Sequence, residues 1–228
     1  LHRFIPGKST YLQEENNETV IDKTQNDYKL TSFENNIYAE NHFDFSKNLS
    51  VNLGARFSAY HIKEHSYYSL EPRINVRYLV TPSMSVKSAY SMMRQNVHLI
   101  NYPNFSLPNS DLWVPTVGNI KPEKSSQVAF GTAHSLNEGM YEITLEGYYK
   151  TMEDLVALKE GTTLENMMKW QENLLTGGEG ETYGMELLIK KDKGAFTGWM
   201  GYTLSKSTRK FKYLNNGESF PFRYDRPH

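Results

Sequence analysis

Apolar and polar residues alternate along most of this chain. In the clearest run, residues 49–60, every second residue from Leu49 to Ala59 is apolar, and the positions between are mostly polar. Successive side chains of a β-strand point to opposite sides, so the run predicts a strand with one apolar face. Similar runs bring the prediction to eight strands, over residues 36–45, 49–60, 70–80, 84–93, 126–134, 141–150, 183–190 and 196–205.

The connections between these strands alternate in length. Short turns are predicted at 46–48, 81–83, 137–139 and 192–194, which contain the Gly, Pro, Asn, Asp and Ser residues that hairpins prefer. Longer connections fall at 61–67, 95–125, 151–181 and 206–222, after a polar lead-in over 1–30. Short turns therefore gather at one end of the strands and long loops at the other. The predicted fold class is all-β, an antiparallel up-and-down meander.

Apolar run length and strand length indicate where such a meander resides. The longest apolar run is the four residues 155–158, and a membrane helix needs about 20, so no spanning helix is predicted. A transmembrane barrel shows no long apolar run because its strands alternate. These strands reach about 10 residues, the length of a tilted membrane strand. The pattern favours a portion of a large transmembrane β-barrel. The alternative is a soluble β-rich module that binds glycans at the cell surface.

Charge and composition exclude several classes of function. Lys and Arg number 25 and Asp and Glu 26, for a net charge of −1. This balance argues against nucleic acid as a partner, because phosphate binding needs a cationic surplus. The chain has no cysteine, which excludes disulfides and thiolate metal sites. No nucleophile or carboxylate pair stands out, so we predict no catalytic residue, no cofactor and no enzyme.

Two short patterns resemble chemical motifs but occur in the wrong context. The segment His61-Ile62-Lys63-Glu64-His65 matches the H-x-x-E-H pattern of zinc peptidases. That chemistry needs a helix, whereas here the pattern closes a predicted strand, so two ordinary histidines in an exposed loop are expected and no metal site. The glycines at 177–180 lack the Gly-Lys-Ser/Thr of a phosphate loop.

Five segments resemble, in the same order, segments of TonB-dependent outer-membrane receptors. They are Leu70-Glu71-Pro72-Arg73, Asn119-Ile120-Lys121-Pro122-Glu123, Tyr183-Gly184-Met185-Glu186, the strand from Gly198 to Ser205, and Asp225-Arg226-Pro227-His228. Their order and their hairpin spacing carry the resemblance, which covers residues 31–228. In that family a barrel of about 22 strands encloses a plug. The resemblance implies that residues 31–228 supply about eight strands and the start of a ninth, with 1–30 as an extracellular-loop lead-in.

The resemblance also implies a location and a set of partners. We expect a segment of a longer receptor in the outer membrane of a Gram-negative cell, where it contacts lipid. The plug and the TonB system would act through an N-terminal part that this sequence lacks. The ligand would be a scarce nutrient, such as a metal chelate, cobalamin, haem or an oligosaccharide, and a surface lipoprotein is a further expected partner. A passive porin, which has no plug, is a third alternative.

Two sets of residues are candidate sites. Residues expected to face lipid are Leu53, Phe57, Val76, Leu145 and Leu187, so residues of opposite parity would face the lumen or the plug, namely Arg56, Arg73, Glu146 and Glu186. Large aromatics in the long loops are candidates for ligand binding, because aromatic side chains bury much area at low entropic cost. They are Tyr102, Phe105, Trp113 and Trp170. Packing of these aromatics among the loops is the alternative.

Overall fold

The computed structural model of the protein describes residues 2–4, 9–15, 18–25, 30–100, 112–162 and 170–225. Its strands are β1 His2–Phe4, β2 Ser9–Glu15, β3 Glu18–Gln25, β4 Leu30–Asp44, β5 Leu49–Ile62, β6 His65–Thr81, β7 Met84–Gln95, β8 Val97–Ile100, β9 Leu112–Pro115, β10 Glu123–Leu136, β11 Tyr141–Leu158, β12 Leu174–Lys191, β13 Gly198–Lys210 and β14 Phe220–Pro221. A short 3-10 helix covers Asn215–Gly217. Within the described ranges, no helix is long and apolar enough to cross a membrane.

The eight long strands form a single antiparallel meander. Their order is β4-β5-β6-β7-β10-β11-β12-β13, with the short strands β1 and β14 at the two edges. The hairpins β2–β3 and β8–β9 form two separate two-stranded sheets. The predicted fold class is confirmed, and all eight predicted strands are present.

The strands extend further at their long-loop ends than alternation predicts. Strand β11 continues to Leu158, and β12 begins at Leu174. The long connection predicted at 61–67 is wrong, because Ile62 pairs with His65 across a two-residue turn. Lys63 in that turn has a positive φ of 49°. The extended parts of the strands keep their backbone hydrogen bonds, but they do not present one apolar face. Apolar and polar residues therefore do not alternate there, and the pattern does not predict these parts.

The register separates the strands' side chains into two faces of opposite character. We call the apolar one the outer face: it contains Leu53 opposite Ile74, and Leu145 opposite Leu187. The expected lipid-facing residues Phe57 and Val76 lie on it too. Many of its large side chains are exposed; Ile37 is 74% exposed, for example. An apolar surface this continuous is not tolerated in water and indicates a partner or a membrane.

The opposite, inner face is polar over most of its length and becomes apolar at the long-loop end. There the buried residues Leu30, Tyr60 and Ile62 pack against the segment that contains β8 and β9. The remaining members of this core are Ile100, Val114, Val117, Ile120, Val156, Trp170 and Leu174. The β8–β9 hairpin therefore folds over the inner side of the sheet.

Candidate functional site

An ion-pair network joins three strands on the inner face. Arg56 of β5 lies 3.5 Å from the carboxylate of Glu71 in β6 and 3.6 Å from that of Glu34 in β4. Glu71 is buried, and its Oε1 accepts a hydrogen bond of 2.9 Å from Ser69. A buried carboxylate needs a nearby cation to offset its lost hydration. Arg56 is the cation that the sheet supplies.

Paired like charges form a row across the same face. Arg77 lies directly opposite Lys87, which lies opposite Gly131; Gly131 lies opposite Glu146, and Glu146 opposite Glu186. Like charges directly opposite each other destabilise a sheet. Considering only the described part of the chain, none of the four charged groups has a hydrogen-bond or ion-pair partner. The row therefore favours contact with groups of opposite charge outside this sheet.

Arg73 also lies on the inner face, between the network and the row. It is exposed, and it lies directly opposite Gly54 on one side and Ser91 on the other. The sheet thus brings Arg56, Arg73, Glu146 and Glu186 onto one surface, but it places no two of the four in an ion pair with each other.

The aromatic candidates divide between surface and core. Trp113 of β9 is 54% exposed, whereas Trp170 is only 4% exposed and packs in the core at the long-loop end. Tyr102 and Phe105 lie outside the described residues. Trp113 is free to contact a ligand, and Trp170 in this structure supports the loops instead.

A buried histidine holds the β8–β9 hairpin against β10. The side chain of His98 is fully buried; its Nε2 lies 2.9 Å from Oγ1 of Thr116, and its Nδ1 lies 3.2 Å from Oε1 of Glu123. Tyr67 of β6 donates a hydrogen bond of 3.4 Å to the carbonyl of Gly118. These contacts fix the segment between β7 and β10 over the inner face.

Sequence analysis missed a pocket that this arrangement creates at the long-loop end. The pocket has a volume of about 470 Å³, and its lining includes Arg209, Phe211, Phe222 and Arg223. The guanidinium of Arg209 lies 3.8 Å from the centre of the Phe222 ring, a cation–π contact. Burial lowers the pKa of Arg209, and the Glu123 carboxylate opposes that shift. The pocket can accept an anionic molecule that has an apolar part.

The signal for this pocket was the group of phenylalanines in the last predicted loop. Phe211 packs so closely on β12 that a side chain at Gly178 would overlap its ring. Phe220 and Phe222 follow β13 across a turn and complete the apolar wall. The residues are visible in the sequence, but their convergence depends on the pairing of β13 with β12 and β14.

The two histidines of the H-x-x-E-H pattern do not meet. His61 stacks edge-on against Tyr68 on the outer face, while His65 packs against Tyr67 on the inner face. A strand places residues four apart on one side, but the turn at Lys63 separates these two. Their positions give a single metal ion no pair of ligands.

Comparison with protein families decides what this sheet belongs to. The family described as TonB dependent receptor-like, beta-barrel matches residues 5–226, which is nearly the whole chain. The chain belongs to the TonB-dependent receptor family. Among curated proteins, none matches this sequence.

Several solved structures share the fold of this chain. The FrpB iron transporter of Neisseria meningitidis is 15% identical with a TM-score of 0.61, over 83% of this chain and 28% of that chain. The ferripyoverdine receptor of Pseudomonas aeruginosa is 13% identical with a TM-score of 0.58, over 93% and 29%. The RagAB peptide transporter is 11% identical with a TM-score of 0.54, over 90% and 25%. This chain spans between a quarter and a third of their length.

Family membership indicates where this sheet resides. TonB-dependent receptors are outer-membrane proteins of Gram-negative bacteria, and they are receptors and transporters rather than enzymes. From this membership we expect the outer face to contact lipid and the inner face to line the barrel interior. The soluble glycan-binding module and the passive porin lose their support.

Replacing Arg56 with alanine should destabilise the receptor by about 2 kcal/mol, because it leaves the buried Glu71 carboxylate without a counter-ion. Because the Arg56 side chain is 32% exposed, solvent screens part of this interaction. Urea unfolding of the full-length receptor in lipid vesicles measures it. Lys47→Ala is the control and should change stability little, since Lys47 is an exposed cation in the short turn between β4 and β5. Equal losses in the two variants would contradict this account of Arg56.

Proposed function

We propose that this chain forms part of the wall of a receptor that imports a scarce nutrient with energy delivered through TonB. The observation that carries the proposal is the two-faced meander, which matches the TonB-dependent receptor barrel over residues 5–226. A sheet with one lipid-facing side and a charged interior side is suited to surround a removable plug. The chain itself supplies wall and loops, and the plug and TonB contacts belong to the longer receptor.

The interior charges are the proposed contact surface for the plug. Glu146 and Glu186 lie directly opposite each other, and neither has an ion-pair partner among the described residues, so a basic segment of the plug would relieve their repulsion. Arg56 and Arg73 lie on the same surface, nearer to the long loops. Hydrated ion pairs of this kind bind through many modest contacts rather than through a continuous apolar interface. Such contacts would hold the plug and still let it move.

The nutrient would bind at the long-loop end, which faces the cell exterior in barrels of this type. Arg209 and Arg223 supply positive charge beside Phe211 and Phe222, and Trp113 is an exposed aromatic in the same loop region. We infer an anionic ligand with an apolar part, and a negatively charged ferric chelate is the member of this class we favour. FrpB is named an iron transporter, and the Pseudomonas structure holds ferripyoverdine.

The other partners and binding residues stay predictions from the sequence. Tyr102 and Phe105, which follow β8 in the sequence, are proposed ligand contacts. Trp170 would act on the ligand only indirectly, because it packs beneath the loops. A surface lipoprotein that delivers the ligand rests on the family resemblance alone.

Uptake of a ferric chelate should require TonB and the cation in the pocket. Full-length receptor is expressed in a strain without its own iron receptors, and uptake of radiolabelled iron is measured with citrate, catecholate and hydroxamate chelates. Arg209→Gln should weaken binding of the transported chelate by about tenfold, the effect of losing one charged hydrogen bond. Lys212→Gln is the matched control, because Lys212 does not line the pocket.

Uptake that persists in a strain lacking TonB would contradict the proposed function.

Neutralising the acidic pair should loosen the plug. In the full-length receptor, Glu146→Gln combined with Glu186→Gln removes the attraction for a basic plug segment. We expect the plug to be released at a lower urea concentration, measured as the appearance of conductance in planar bilayers. Glu142→Gln combined with Lys190→Gln is the control, because it removes one acid and one base that lie directly opposite each other on the same two strands and so leaves the net charge unchanged. If the Glu146 and Glu186 variant holds the plug as firmly as the wild type, or more firmly, the proposed contact is wrong.

A further inference from the structure

The outer face has a trough at Gly147. Phe130, Gly147, Met185 and Leu204 lie directly opposite one another in one row across β10, β11, β12 and β13. Because Gly147 has no side chain, a gap separates the Phe130 ring from the Met185 side chain. Gly198 is another glycine on this face, at the short-turn end of β13.

The gap is not filled by neighbouring side chains. A Cβ added at Gly147 would find its nearest heavy atom, the Gly184 carbonyl oxygen, 3.8 Å away. The groove around it has a volume of about 820 Å³ and an apolar lining that includes Phe130, Leu145 and Met185. Phe130 is 59% exposed and Met185 49%. The groove is therefore a depression between two large, exposed side chains, at the point where Gly147 supplies none.

A lysine stands at the long-loop end of the groove. Lys206 lines it and lies directly opposite Tyr183 rather than an acid. Glu181, one row nearer the loops on the same face, is hydrogen-bonded by the phenol of Tyr149. Lys206 has no hydrogen-bond or ion-pair partner in the ranges that the structure describes. The groove therefore pairs an apolar trough with one uncompensated cation.

The next lysine on the same strand has a different environment. Lys210 lies directly opposite Glu179, so an acid faces it across the strand pair. The two lysines share a strand and a face, and they differ in the residue opposite. Lys210 is therefore a matched comparison for Lys206, since the two differ in whether an acid lies directly opposite.

We propose that this groove binds a phosphate-bearing lipid of the outer membrane, with an acyl chain in the trough at Gly147 and the phosphate on the Lys206 ammonium. Within a bilayer, binding of an acyl chain depends on close packing, which a depression provides and a flat surface does not. An ammonium group binds phosphate as a point charge. Because the long-loop end faces the cell exterior, the headgroup would lie at the outer-leaflet surface.

The inference needs only the outer-membrane location of the barrel. It does not depend on the proposed transport, since the groove is on the opposite face from the charged row and from Arg209. A receptor that transports nothing could still bind the lipid, and a lipid-free receptor could still transport. The two proposals therefore fail separately.

The test is native mass spectrometry of the full-length receptor in detergent, titrated with phosphatidic acid or with diacylglycerol of the same acyl chains. Wild-type receptor should retain phosphatidic acid in preference to diacylglycerol. Lys206→Gln should lower the affinity for phosphatidic acid by about fivefold, the scale of one basic residue at an anionic membrane surface. It should leave diacylglycerol unchanged. Gly147→Leu fills the trough and should lower retention of both lipids.

Two matched controls separate this site from general lipid contact. Lys210→Gln removes a lysine from the same strand and face, and Gly198→Leu adds a side chain on that face where nothing lies within 4 Å. Both controls should retain both lipids as the wild type does. Faster migration of the unheated than of the heat-denatured receptor on a denaturing gel verifies that each variant is folded. Equal losses in Lys206→Gln and Lys210→Gln, or unchanged retention in Gly147→Leu, would overturn the proposal.

Discussion

In a lipid bilayer every backbone N–H and C=O group must bond to protein, because hydrocarbon offers no partner. Six of the eight long strands, from β5 to β12, meet this requirement by pairing on both sides, whereas β4 and β13 pair on their outer sides only with the short strands β1 and β14. The same pairing fixes the register, since a slip of one residue would turn Leu53 and Leu145 inward and place Asn52 and Glu146 in lipid. The two faces, and everything that depends on them, follow from this one constraint.

At the long-loop end the inner face of the strands is no longer polar. There the strands also support the loops that pack on them. Tyr60 and Ile62 lie on the inner face, yet they are buried beneath the β8–β9 segment. The strands that form the barrel wall thus become the base on which the loops pack. The Arg56–Glu71 pair lies next to the point where the inner face changes from polar to apolar. The pocket with Arg209 lies beyond that point, nearer the loops, so its charge is positioned by the packed core.

Alternation predicted what depends on the bilayer and missed what depends on contacts between distant segments. It placed Leu53 and Leu145 on the apolar face and Arg56 and Glu186 on the polar one. It could not show that Glu146 lies opposite Glu186. Alternation tells which side of the sheet a residue is on, whereas the residue opposite it depends on the register between the strands. The connection predicted at 61–67 was wrong, since strands β5 and β6 continue to a tight turn. Trp170 looked like a loop aromatic, but its burial depends on a core assembled from several connections.

The central claim is that the outer face contacts lipid while the inner face contacts the barrel interior, and paired single-cysteine labelling tests it most directly. The described chain has no cysteine of its own, so Leu53→Cys and Asn52→Cys are made separately in the full-length receptor in its native membrane. We expect position 53 to react only with a lipid-soluble maleimide and position 52 only with a water-soluble one. If position 52 reacts from water while position 53 resists both reagents, the apolar face packs against protein, which would contradict the account.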